Sequence, residues 1–219
     1  MTALTLHDHE IRRLLSTGSA LVLRPVKPQP DNEFPGVEFV NIEGNSALFS
    51  EKWGNQTRVC LRICPLGIPG SVAWVRERFA IYCGGVTLPD AKYDGFTLAY
   101  PDGTLNLVEY INELPPPGWN IAYAQMQRHA NVLYNGDWRS PVTMPRWASR
   151  CDVTVQDVHV LRINELSQDD ESMAGFTDDI PAYNHIHFQN DWLRRYARRF
   201  PDDLWQVWTW AITVGNRLT

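Results

Sequence analysis

The sequence predicts an α+β domain in which a small β-barrel carries a few short helices. Three observations lead there: segments with two-residue alternation outnumber segments with helical spacing, one late strand is apolar on both parities, and proline and glycine punctuate the chain at short intervals. With 219 residues, 44% of them hydrophobic and 21% charged, the chain is long enough to bury a sizeable core and shows none of the bias of a disordered, collagen-like or disulfide-dense protein. The expectation is one domain over residues 1–219, with residues 84–137 inserted as hairpins and loops.

The elements follow in order. Ile11, Leu14 and Leu15 fall on one helical face and Gly18 follows, predicting a short helix over 9–17 with a glycine stop, then a strand over 19–24. Pro25, Pro28 and Pro30 lack the amide hydrogens a ladder needs, so the strand gives way to a loop reaching about Gly36. Over 71–79, Ala73, Val75, Glu77 and Phe79 share one parity and Trp74, Arg76 and Arg78 the other, placing a carboxylate on an apolar face. Pro101-Asp102-Gly103-Thr104 predicts a turn between two strand-like runs. Alternation over 151–163 changes phase near Asp157, which a β-bulge explains. Ser167 and Asp170 have capping-box spacing and Gly175 supplies a stop, giving a short helix over 168–174. Residues 191–199 read as a short helix with four arginines, and 204–214, with Trp205, Trp208 and Trp210, as a central strand.

The balance of 20 Lys and Arg against 25 Asp and Glu gives a net charge of −5, which excludes a general polyanion coat and confines any nucleic-acid contact to a local patch. The first fifteen residues mix His7, Asp8, His9, Glu10, Arg12 and Arg13 with apolar ones, unlike a signal peptide, and no run suits a transmembrane helix; no membrane partner and a cytoplasmic location, with reduced cysteines, are expected. Cys60, Cys64, Cys83 and Cys151 lack the paired spacing of a structural zinc site, and the extended pairs His7/His9 and His185/His187 are better read as surface histidines, so neither metal nor cofactor is expected. Arg139, Arg146 and Arg150 give a local +3 in a stretch without acid, interleaved with Trp147. Arginine forks suit phosphate and indole faces suit bases. The competing reading makes Trp74 and Trp147 core residues and has Arg146 or Arg150 neutralise Glu77.

Four blocks together resemble the ASCH domain family in the form common in bacteriophages and prophages: Arg24-Pro25-Val26-Lys27-Pro28-Gln29-Pro30; Cys64-Pro65-Leu66-Gly67-Ile68-Pro69-Gly70 with Trp74-Val75-Arg76-Glu77; residues 138–150, which contain Met144-Pro145-Arg146-Trp147-Ala148-Ser149-Arg150; and Trp208-Thr209-Trp210-Ala211-Ile212. The resemblance implies a PUA-like barrel whose cleft is associated with RNA, DNA or modified nucleosides, in a bacterial or phage-infected cell. One branch of the family hydrolyses N4-acetylcytidine with a Lys, a Thr and a Glu. Here Ser19 stands at the Lys position, Ala20 and Val22 at the Thr positions, Leu23 at the first of two arginines and Ala174 at the Glu position. Neither Ala nor Val moves protons or attacks a carbonyl, so that chemistry is not expected.

The reading that follows is a noncatalytic binder of nucleic acid or a modified nucleotide, using Arg24, Lys27, Trp74, Arg76, Arg146, Trp147, Ser149 and Arg150. An alternative is an amidohydrolase or nuclease with a rebuilt centre drawn from Glu77, Asp169, Asp170 or a histidine such as His159. A third is a phage protein that binds or inhibits a host protein through residues 84–137 or the arginine helix.

Overall fold

A computed structural model describes residues 2–32, 36–82, 95–109, 138–177, 181–201 and 203–217. The class is α+β, and the chain divides into two compact units. The first comprises Met1–Thr2, His9–Ala73 and Cys151–Thr219; the second comprises Ala3–Asp8 and Trp74–Arg150.

In the first unit, helix α1 (Asp8–Thr17) ends at Gly18 and delivers the chain into β2 (Ser19–Pro25), the strand after β1 (Thr2–Thr5). β2 pairs antiparallel with β11 (Trp208–Arg217), which pairs antiparallel with β10 (Asp152–Arg162). On the far side of β10 lies the start of β6 (Val72–Arg76), entered where the Gly70 amide donates to the Val155 carbonyl and the Val155 amide donates to the Ser71 carbonyl. The expected bulge is present: the β10–β11 register slips between Val155 and Asp157, so Val153 and Val155 before it and Val158 and Val160 after it are all buried. β11 is buried along nearly its whole length, as its two-sided apolar pattern predicts.

The core on one face of this sheet joins Leu21 and Leu23 of β2 and Ala211 of β11 to two helices, α2 (Gln168–Met173) and α3 (Pro181–Tyr196). The Ser167/Asp170 capping box starts α2 as the spacing requires. Gly175 stops it at φ +95°, and a Cβ there would lie 2.2 Å from the backbone oxygen of His9, so only glycine fits the approach. α3 corrects the sequence reading: it begins ten residues before 191 and takes in His185 and His187, which therefore lie on a helix and not on an extended segment. Its signal is the i,i+4 row Phe188, Trp192 and Tyr196; Phe188 and Trp192 are fully buried, and all three pack in the same core.

Residues 38–63 form a meander that the sequence reading leaves unassigned, β3 (Glu38–Glu43), β4 (Ser46–Trp53) and β5 (Gln56–Ile63). Its signal is the Gly-Asn pair at 44–45 repeated at 54–55, each Gly at φ +59°, the backbone of a tight hairpin.

In the second unit, β1 lies beside β6, and the Leu6 amide donates to the Arg76 carbonyl at 2.8 Å. β7 (Ala80–Tyr82), β8 (Gly95–Ala99) and β9 (Leu105–Glu109) form an antiparallel sheet, with the predicted turn at 101–104 joining β8 to β9. The remainder of 84–137 lies outside the described residues. Among the described residues each sheet keeps two edge strands, so the α+β class holds without a closed barrel. None of the described helices is long and apolar enough to cross a membrane.

Candidate functional site

The loop at 138–150 is shaped by its prolines. Pro141 and Pro145 open two single 3-10 turns, Pro141–Thr143 and Arg146–Ala148. Two buried anchors hold it: the Met144 sulfur accepts from the Glu77 amide at 3.4 Å, and the Ala148 carbonyl accepts from the Tyr100 hydroxyl at 2.9 Å. Between those anchors Arg146 is exposed and Trp147 half-buried. Ser140 caps the first turn and Ser149 closes the second through its backbone amide, 3.1 Å from the Arg146 carbonyl.

Trp74 and Arg76, two apart on β6, share one side of the strand, and the Arg76 guanidinium lies 4.7 Å from the centre of the Trp74 ring. Arg146 reaches the same ring from the loop at 5.8 Å. Trp74 is buried, so its indole underlies the cations and offers no open face to a base. Arg76 is half-buried, and its Nε is buried without a hydrogen-bond partner. The structure thus gathers Trp74, Arg76 and Arg146 into one cluster of two guanidiniums on one indole, with Trp147 next to Arg146 in the loop.

Arg150 is engaged elsewhere. Its Nε and Nη2 donate to the two oxygens of Glu77 at 2.9 and 2.6 Å, its Nη1 donates to Asp102 at 2.8 Å, and its guanidinium lies 4.0 Å over the Tyr100 ring. Of the two partners the sequence offers for Glu77, the geometry selects Arg150. Burial pushes the Glu77 carboxyl up despite the guanidinium. At Asp102 burial acts in the same direction but is outweighed by donation from Thr104 and Arg150, leaving that carboxyl below its usual range. The +3 expected over 139–150 is therefore not all displayed, since two carboxylates surround one of its three arginines.

Arg24 and Lys27 belong to the first unit. The Arg24 guanidinium donates to both oxygens of Glu10 at 2.7 and 3.0 Å and to the Leu23 carbonyl at 2.7 Å, and Glu10 is 1% exposed. Arg24 is thus held, half-buried, in a bidentate pair with a buried carboxylate and, like Arg150, corrects the expectation of a cation presented to phosphate. Glu10 lies one helical turn before Leu14, on the buried face of α1, and that spacing is the signal by which sequence reasoning could have found it. Lys27 is exposed and lines a cleft of about 420 Å³ with Arg199, Phe200 and Pro201. Gln29 forms its floor: its amide nitrogen donates to the Val26 and Trp208 carbonyls at 2.7 and 2.9 Å, and its oxygen accepts from the Trp208 amide at 2.8 Å.

The acids proposed for a rebuilt centre are dispersed. Glu77 is paired as above, Asp170 is occupied by the Ser167 cap at 2.6 and 3.0 Å, and Asp169 is an exposed first-turn residue of α2. His159 stands exposed beside Asp157 at 2.6 Å. Glu171, an acid within a turn of Ala174 that the sequence reading leaves outside its candidates, is 1% exposed; its Oε1 meets His185 Nδ1 at 2.6 Å, and His185 Nε2 meets the Gln189 amide nitrogen at 2.7 Å. A smaller cleft of about 260 Å³ is lined by these three residues with Trp205 and Phe188. His9 packs on the Phe176 ring at 4.4 Å. Among the described residues no group of three or more His, Cys, Asp or Glu side chains is placed to hold a metal ion.

Comparison with protein-family models, with curated proteins and with solved structures returned no match.

Proposed function

We propose that this chain binds nucleic acid or a modified nucleotide without reacting with it, as an ASCH-type protein of PUA-like fold, and that the contact lies in its second unit at Arg76, Arg146 and Trp147. The observation that carries the reading is the pair of guanidiniums, at 4.7 and 5.8 Å, on the buried Trp74 ring. The two guanidiniums bring two positive charges to one place, and a phosphate presents paired acceptors that match a guanidinium fork. Trp147, half-buried next to Arg146, adds a surface on which a base stacks, a contact worth about 1–3 kcal/mol.

The noncatalytic part of the reading is supported by what fills the hydrolase positions of the family it resembles. Ala20 and Val22 are 0% exposed, Leu23 3% and Ala174 1%, and Leu23 and Ala174 belong to one apolar core with Phe176 and Trp192. Ser19 directs its hydroxyl to the Val214 carbonyl at 3.1 Å. The test is fluorescence anisotropy with single-stranded RNA, single-stranded DNA and duplex DNA at low and physiological salt. The expected result is salt-dependent binding that an Arg146→Ala/Trp147→Ala variant loses while remaining folded; unchanged affinity in that variant overturns the reading.

A second reading, a hydrolase with a rebuilt centre, is favoured by one observation, the buried Glu171 carboxylate holding His185 at 2.6 Å beside a cleft. A carboxylate in that position orients an imidazole for proton transfer. Release of acetate from N4-acetylcytidine, or cleavage of RNA or DNA, by the native chain and not by His185→Ala supports it; neither reaction by the native chain removes it.

A further inference from the structure

The cleft at Lys27 carries an inference that rests on the nucleotide-binding reading and extends it to the first unit. We infer that this cleft is a nucleotide subsite, with the phosphate between Lys27 and Arg199 and the base against Phe200 and Pro201.

Among the residues lining the cleft, Asp31 is held by Arg162, whose Nη1 donates to it at 3.1 Å and to the Gln206 carbonyl at 2.7 Å. Arg24, close enough to act electrostatically on Lys27, is held by Glu10. Among the described residues neither Lys27 nor Arg199 forms an ion pair, and both are exposed. Two cations in one concavity repel each other unless something negative lies between them, and burial, then Arg199 and Arg24, hold the Lys27 ammonium below the usual lysine range. A phosphate removes that repulsion and gives each cation a charge-assisted hydrogen bond.

The apolar part of the cleft favours a nucleotide over a bare phosphate. Phe200 is half-buried and lines the wall with Pro28 and Pro201, while Gln206 and the exposed Asp203 offer polar groups to a base edge or ribose. At about 420 Å³ the cleft falls within the range of small-molecule sites. Its floor is rigid, because Gln29 is fixed by three hydrogen bonds and Arg62 donates to the Pro28 carbonyl at 2.8 Å. Sequence reasoning reads Arg199 as a solvated helix face, and the structure places it after α3, turned to the same concavity as Lys27.

The experiment is calorimetric titration of the full chain with uridine and adenosine 5′-monophosphates, the two parent nucleosides and inorganic phosphate. The inference predicts that the monophosphates bind at least about 10-fold more tightly than the nucleosides, and that Lys27→Ala/Arg199→Ala erases the difference while Lys27→Arg retains it. The Lys27→Ala/Arg199→Ala change, made also in an Arg146→Ala/Trp147→Ala background that has lost oligonucleotides, still removes the preference for monophosphates over nucleosides, which separates failure of this site from failure of the site in the second unit. Equal binding of nucleoside and nucleotide, undiminished binding by the double alanine variant, or inorganic phosphate binding as tightly as the monophosphates each overturns it.

Discussion

Replacing Arg150 by alanine asks whether this residue is a strut or a ligand contact. In the native chain its guanidinium makes two bonds to Glu77, one to Asp102 and a ring contact with Tyr100, and the Glu77 side chain is only 1% exposed. Arg150→Ala therefore leaves a buried carboxylate without its counter-charge, a loss worth about 3–5 kcal/mol at neutral pH. Burial already pushes the Glu77 carboxyl up, so an unpaired Glu77 takes a proton more readily and the penalty shrinks as the pH falls. Glu77→Gln/Arg150→Met, which removes both charges, is expected to recover most of the loss. The assay is urea denaturation at pH 7 and at pH 5, followed by tryptophan fluorescence and circular dichroism. A loss below about 1 kcal/mol in Arg150→Ala, together with abolished oligonucleotide binding, would refute the reasoning and return Arg150 to the binding surface.

Three further outcomes are expected. Gly175→Ala forces a left-handed backbone on alanine and drives its Cβ to 2.2 Å from the His9 oxygen, so it should destabilise the first unit by about 1–3 kcal/mol or more in the same denaturation assay. Glu10→Gln leaves the half-buried Arg24 without its counter-charge and removes a carboxylate that also stabilises the charge of Arg195; a loss of about 3–5 kcal/mol is expected by thermal and urea unfolding, against little change for Asp169→Asn on the surface. The third concerns Lys27, lowered by burial and by Arg199 and Arg24. Its charged form is disfavoured in the folded chain, so its contribution to stability improves as pH rises from its lowered value to the ordinary lysine value, while anion binding weakens over the same window. Titration of the Lys27 side chain by NMR should move upward in Arg199→Ala; no movement would separate the two cations.

The fold was most legible where local chemistry decides it. Gly18 and Gly175 stop helices, Ser167 and Asp170 make a capping box, and the change of phase near Asp157 is a bulge between two runs of buried valines. The meander over 38–63 also carries a local signal, Gly-Asn repeated ten residues apart, but its strands are half-exposed and lack clean alternation. α3 was hidden for a different reason: its polar first half, with Asn184, His185 and His187, becomes helical because Phe188, Trp192 and Tyr196 pack into a core built by distant segments. The candidate site divides in the same way. The loop prolines and the parity of Trp74 and Arg76 are local and readable, whereas the partners of Arg24 and Arg150 depend on residues 14 and 73 positions away. Residue type announces a cation, and only the tertiary structure tells which cations are already paired.

The central claim is that Arg76 and Arg146 present their charge to a nucleic-acid backbone. The most direct measurement is the salt dependence of binding to single-stranded RNA and DNA by the native chain and by Arg76→Ala/Arg146→Ala. Each phosphate contact on a single strand contributes about 0.7 to the slope of log affinity against log salt, so the double variant should lose about 1.4 of slope along with its affinity. A native chain that binds with the same slope as the double variant, or that binds neither strand at low salt, contradicts the account.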